Sequence, residues 1–305
     1  MLAIQRILFT TDFSDGAARA FPQAVYLADK HDADLHIVNV AEPGSASGET
    51  LPVSPETLQG WLGALGVPGV GLGDLTIVQK QIESGSPAER LVGYADDQDI
   101  DLVVMGTHGR RGVRRMLLGS VTEEVVRKAA CPVFTVQAEA EQAPGQAVRR
   151  ILVPVDFSEA SEMALLHATE IAQTYGADVH LLHVVEEVLY PSAYGVDPPS
   201  MSSQNVVGRV ENALGKMARE EIGYEQVQVS ATVGYAPLTI LDYVEENEID
   251  LVVIATHGRS GLDRVLLGSV AERVIRQSPV PVFVVKPDRK SLVSTEKKEA
   301  AAVRG

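Results

Sequence analysis

The chain contains itself twice, and that duplication limits what it can fold into more than any other feature. Asp101–Val136 and Asp250–Val285 align without a gap and are identical at 22 of 36 positions. The openings of the halves agree too, RILFTTDFS at Arg6–Ser14 and RILVPVDFS at Arg150–Ser158. Each is followed by a second matching run, ADLHIVNV at Ala33–Val40 and ADVHLLHV at Ala177–Val184. Two copies of one fold are therefore expected: a first domain over 1–138, a linker over 139–148 and a second domain over 149–286. A charged, alanine-containing tail over 287–305 is expected to fray. The length of 305 residues fits two domains of about 100–200 residues.

Each half alternates strand and helix. The first half predicts strands near Arg6–Phe9, Asp34–Val40, Leu75–Gln81, Leu102–Met105 and Val133–Val136. Their apolar runs are short and nearly continuous, as in strands buried on both faces of a parallel sheet. Ala17, Ala20, Phe21, Ala24 and Ala28 recur at helical spacing between the first two strands, and Ser161, Ala164, Leu165, Ala168 and Ala172 repeat the pattern. The fold class is α/β, with parallel sheets and right-handed crossovers. A short helix is expected near Glu56–Leu65 and a longer one within Pro191–Gly223. Val133–Val136 and Val282–Val285 are too apolar to remain exposed sheet edges, so they are predicted to pair with each other. That pairing makes the two halves an intramolecular pseudo-dimer and leaves open a further homodimer.

Composition removes whole classes of function. A net charge of −15 repels phosphate backbones and anionic lipid, which argues against nucleic-acid and membrane-surface roles. Cys131 is the one cysteine, so neither an intrachain disulfide nor a multi-cysteine zinc site is available. His180 and His183 stand at i and i+3 on a strand and point to opposite faces, so they form no metal pair. No signal peptide or membrane-spanning run is read in the sequence, and a cytoplasmic protein is the expectation.

The loop after the fourth strand carries the chemistry. Gly106-Thr-His-Gly109 is followed by nine residues and then Gly119-Ser120-Val121, which opens a helix. A helix start offers unpaired N–H groups and the positive end of the dipole, which suit a phosphate. Arg110, Arg111, Arg114 and Arg115 between the glycines reverse the acidic balance locally. The plainer alternative is that Ser120-Val-Thr-Glu123 and Ser269-Val-Ala-Glu272 are capping boxes that satisfy their own backbone. Asp12 and Asp156 end the first strand of each half, where a carboxylate can accept from ribose hydroxyls or simply cap a helix.

Gly106–Gly109, the nine-residue spacer and Gly119–Ser120 resemble the glycine signature of the ATP-binding universal stress proteins. The TDFS and VDFS openings and both LLGSV helix starts are similar to that family too, so the resemblance covers both halves. It implies a five-stranded parallel sheet in the order 3-2-1-4-5, Rossmann-like and akin to the adenine nucleotide alpha hydrolases, with helices on both faces. It also implies roles in ATP binding. Asp12 would face the adenosine end and the Val40 backbone the adenine. Gly106, His108 and Gly109 would line ribose and phosphates, and Gly119, Ser120 and Val121 would hold the phosphates. The second half matches with Asp156, Val184, Ala255, His257, Gly258, Gly268, Ser269 and Val270. Ala255 replaces the first motif glycine, and its Cβ is expected to crowd a ligand, so the first site ranks above the second.

The function expected is an ATP-binding stress-response or signalling module, with ATP alone or with Mg²⁺. Binding ranks above catalysis: no Walker A sequence is present, and Asp12 would lie at the wrong end of the nucleotide to activate a water. The alternatives are a scaffold with empty pockets and, below it, a slow ATPase.

Overall fold

A computed structural model of the chain describes residues 2–41, 52–63, 72–73, 75–83, 85–107, 118–137, 148–186, 203–257, 267–287 and 289–293. The first half runs β1 (Arg6–Thr10), α1 (Asp15–His31), β2 (Asp34–Ala41), α2 (Pro55–Gly63), β3 (Ile77–Glu83), α3 (Pro87–Asp97), β4 (Leu102–Gly106), α4 (Ser120–Lys128) and β5 (Val133–Val136). The second repeats it as β6 (Arg150–Pro154), α5 (Glu159–Tyr175), β7 (Asp178–Val185), α6 (Ser203–Met217), β8 (Val227–Val233), α7 (Ala236–Glu246), β9 (Leu251–Ala255), α8 (Ser269–Gln277) and β10 (Val282–Val285). A π-helical turn, Ala218–Ile222, extends α6. The strand β3 starts two residues later than its apolar content suggests, because Leu75 is taken up in a turn to Leu72.

All ten strands form one sheet, in the order β3-β2-β1-β4-β5-β10-β9-β6-β7-β8. Within each half the pairing is parallel and follows the expected 3-2-1-4-5 order. At the seam β5 and β10 run antiparallel, with Phe134 opposite Phe283 and their rings edge-on at 6.3 Å. The apolar strand edges are thus buried against each other, and the tandem halves form the pseudo-dimer that those edges predict. One core layer lies under α1, α2, α5 and α6 and crosses the seam through Phe134 and Phe283. The opposite layer lies under α3, α4, α7 and α8. Helices α1 and α5 also meet at the seam, where Tyr26 stacks on Tyr175 at 6.0 Å and Lys30 Nζ lies 5.6 Å from the Tyr175 ring. Among the described residues no helix is long and apolar enough to cross a membrane.

The tail corrects an expectation. Composition suggests fraying from Pro287 onward, yet Leu292 and Val293 are buried in the layer that crosses the seam. Leu292 accepts from Ala3 N at 3.0 Å and donates its own N–H to His167 Nε2 at 3.2 Å. Acceptance at Nε2 leaves the His167 proton on Nδ1, which donates to Met163 O at 2.8 Å. Lys290 places Nζ 2.6 Å from Asp99 Oδ1 and 2.8 Å from Asp101 Oδ1. This segment therefore ties the first half to the second. The short apolar run Leu292–Val293 is what the charged surroundings conceal; residues 294–305 lie outside the described ones. Leu292→Ala is expected to cost about 2–5 kcal/mol, read as a lower urea midpoint for the whole chain.

Two buried histidines repeat with the fold. His36 on β2 bonds Tyr94 of α3 at 2.8 Å through Nδ1, and His180 on β7 bonds Tyr243 of α7 at 3.1 Å. Burial holds both imidazoles below the usual histidine pKa, so the folded chain keeps them neutral. The unfolded chain takes up protons first as pH falls through about 6.5. Stability from these groups is full above that value and declines below it, until the folded-state pKa is passed. Urea midpoints at pH 7.5 and 5.5 should show this fall, and His36→Gln with His180→Gln should reduce it.

Candidate functional site

The site is assembled where β1 and β4 lie side by side and their connections leave in opposite directions, the switch point at which open α/β sheets bind ligands. Beyond β1 the chain turns through Asp12, Phe13 and Ser14. Asp12 Oδ1 accepts from Ser14 N at 3.0 Å, and Ser14 caps α1 by accepting from Ala17 N at 3.2 Å. Phe13 adopts φ 61°, and Phe157 repeats it at φ 60°. A bulky residue held in the left-handed region marks a turn that its surroundings enforce. In the second half Asp156 Oδ1 accepts from both N and Oγ of Ser158, at 3.1 and 2.5 Å. Both aspartates therefore shape the turn that leads into the capping serine, at the carboxyl end of the first strand.

Beyond β4, Thr107 is fully buried and tied to β5 through its N–H to Val136 O at 3.0 Å. Its carbonyl accepts from Gly119 N at 3.0 Å, and Thr122 Oγ1 donates to Gly106 O at 2.9 Å. These two bonds bring the start of α4 onto the end of β4. The second half repeats the first of them as Gly268 N to Thr256 O at 2.8 Å, with Ala271 in the place of Thr122. Val40 and Val121 pack against one core layer beside this edge, as do Val184 and Val270.

The capping-box alternative does not describe these helices. The N-caps are Gly119 and Gly268, so Ser120 and Ser269 are the first helical residues, one place too late to cap. Neither helix has a side-chain cap. The contrast is with α1 and α5, where Ser14 and Ser158 supply one. Both motif serines are exposed. Among the described residues no side chain accepts from the first-turn N–H groups of α4 or α8, the helix positions that carry the positive end of the dipole. In the second half His257 Nδ1 bonds Thr256 Oγ1 at 2.9 Å, while its buried Nε2 has no hydrogen-bonding partner among the described residues. His108, Gly109, Gly258 and the arginines between the motif glycines lie outside the described residues.

The role of Gly106 differs from the expectation. It does not adopt a positive φ. A Cβ there would sit 2.7 Å from Gly16 O and 2.8 Å from Gly16 C, against the start of α1. The close approach of α1 requires a glycine here. Its partner Gly16 is a determinant that sequence reasoning missed, and the visible signal is that Gly16 becomes Ala160 where Gly106 becomes Ala255. Ala255 shares the core layer beneath α5 with Ala160, on the opposite side of the sheet from the layer that holds Val184 and Val270. Its methyl group packs in that layer beneath α5.

Cys131 is buried, and burial pushes its thiol up to about 11, so it is a packing residue. His180 takes part in the tyrosine pair, and His183 donates through Nδ1 to Val155 O at 2.6 Å. Among the described residues no group of acidic, histidine or cysteine side chains could hold a metal ion.

The chain matches the model of the universal stress protein family twice, over residues 3–137 and 147–286. A universal stress protein of Mycolicibacterium smegmatis is 33% identical over 210 residues, 69% of each chain. One from Mycobacterium tuberculosis is 27% identical over 289 residues, 92% of this chain and 96% of the relative. The solved structure of a universal stress protein from Archaeoglobus fulgidus superposes with a TM-score of 0.65 at 22% identity, covering 92% of this chain and 98% of that one.

The packing account of Gly106 separates it from its counterpart. Gly106→Ala should lower stability by about 1–3 kcal/mol, because backbone must shift to admit the methyl group. Ala255→Gly should stay folded at a smaller cost; urea titrations giving the same loss for both would contradict the helix-approach explanation.

Proposed function

Because the chain belongs to the universal stress protein family, we propose that it is an ATP-binding stress-response or signalling module in which the nucleotide sets shape or partner choice. The observation that carries this reading is the pair of motif helices that begin at Gly119 and Gly268 without a side-chain cap and with an exposed serine in the first turn. A helix start left open in this way is complementary to a phosphate group. The buried Nε2 of His257, without a partner among the described residues, supports the same reading, since a ligand at the loop could supply one.

In this reading the first-turn N–H groups and hydroxyls of Ser120 and Ser269 hold the phosphates, joined by Gly119, Val121, Gly268 and Val270. Asp12 and Asp156 face the adenosine end, and the Val40 and Val184 backbones meet the base. His108, Gly109, His257 and Gly258 complete the loops by their places in the motif. ATP binds alone or with Mg²⁺ carried on its phosphates. The fit is assigned to both halves, since the Ala255 methyl group lies in the other core layer.

The test is denaturing release of nucleotide from protein purified without added ligand, followed by calorimetric titration with ATP and Mg²⁺. Up to two ATP per chain are expected. Ser120→Asp adds a carboxylate at the first turn of α4 and should reduce the count by one without loss of fold. Failure of the unmodified chain to bind ATP under either condition would leave the interaction scaffold as the function.

A further inference from the structure

The residues that follow β5 and β10 cross the seam and bond the far ends of the two motif helices. Lys286, directly after β10 in the second half, donates from Nζ to Ala129 O at 2.5 Å. Ala129 is the C-cap of α4 in the first half. Gln137, directly after β5 in the first half, donates from Nε2 to Ile275 O at 3.2 Å and to Arg276 O. Those carbonyls end α8 in the second half. The last carbonyls of a helix have no partner within it, so each half supplies an acceptor end that the other half satisfies. Gln137 and Lys286 occupy the same position in the repeat, where QAEA follows VFTV and KPDR follows VFVV. The exchange is therefore reciprocal about the pseudo-twofold axis.

From this exchange we infer that Lys286 is a positioning residue for the nucleotide site of the first half and Gln137 for that of the second, each acting through the other half's motif helix. The inference rests on the ATP reading above. Each helix has only nine residues, which makes it about 13 Å long. A rod that short carries a displacement of its C-terminal end to the first-turn N–H groups. Lys286 is 6% exposed, so water cannot replace its bond to Ala129 O. A cation at the C-terminal end of α4 also reinforces the dipole whose positive end faces the phosphates. Gln137 satisfies α8 with a neutral amide and leaves that helix without the added charge.

The test uses full-length chains in which one site at a time is disabled: Ser269→Asp leaves the first-half site to titrate, and Ser120→Asp leaves the second. In the Ser269→Asp chain, Lys286→Met should weaken ATP about three- to fivefold by calorimetry. In the Ser120→Asp chain the same substitution should leave ATP affinity unchanged. Gln137→Leu should show the opposite pattern. Lys286→Gln, which copies the residue used in the other half and keeps a donor for Ala129 O without the charge, should recover part of the affinity lost in Lys286→Met, and it also serves where the methionine variant folds poorly. Loss in the residue's own half, equal loss in both halves, or no loss in either would overturn the assignment while ATP binding itself stands. If neither single-site parent binds ATP, the nucleotide reading fails, and the positioning role fails with it.

Discussion

The structure depends on one antiparallel contact in an otherwise parallel sheet. Each half ends in a four-residue strand, VFTV or VFVV, apolar on both faces and with one edge unpaired inside its own half. Exposed, either edge would be a template for aggregation. Joined as β5 and β10, they place Phe134 and Phe283 within one core and turn two five-stranded sheets into one of ten strands. Everything else at the seam follows from that register: the stacked tyrosines of α1 and α5, the strap through Leu292, and the helix ends capped from across the axis.

The seam also governs how the candidate sites are held. Each motif helix is fixed at its start to the end of the neighbouring strand, through Gly119 to Thr107 or Gly268 to Thr256. Its finish is fixed by a residue of the opposite half. A phosphate held at one end would thus meet a helix braced at both, and the bracing residue follows the strand that joins the halves. Packing between halves and geometry at the sites are therefore parts of one arrangement.

Much of this was legible in the residues. The duplication announces two copies, the buried apolar runs announce parallel strands, and the last strands announce the seam. What escaped reading depended on distances between segments far apart in the chain. The closeness of Gly106 to Gly16 cannot be seen from either glycine alone, so the packing demand of α1 on the motif glycine was not legible. Ser120 and Glu123 have the spacing of a capping box, but the helix begins one residue earlier than that box requires, a shift that propensity does not resolve. Leu292 and Val293 form too short an apolar run to stand out among charged neighbours, and their value lies in a groove that exists only once both halves are assembled.

Joining the halves in one chain changes what evolution can do with the axis between them. In a dimer of identical subunits a residue at the axis must serve both sides in the same form, because any substitution appears twice. Here the position after the last strand is an amide on one side and an ammonium group on the other, and burial has drawn that ammonium group down to a pKa of about 8. Likewise Tyr26 and Tyr175 stack across the seam although the repeat places Glu170 and His31 at their equivalent positions. Covalent fusion released these sites from symmetry, so two originally equal halves could acquire unequal partners and respond differently to the same ligand.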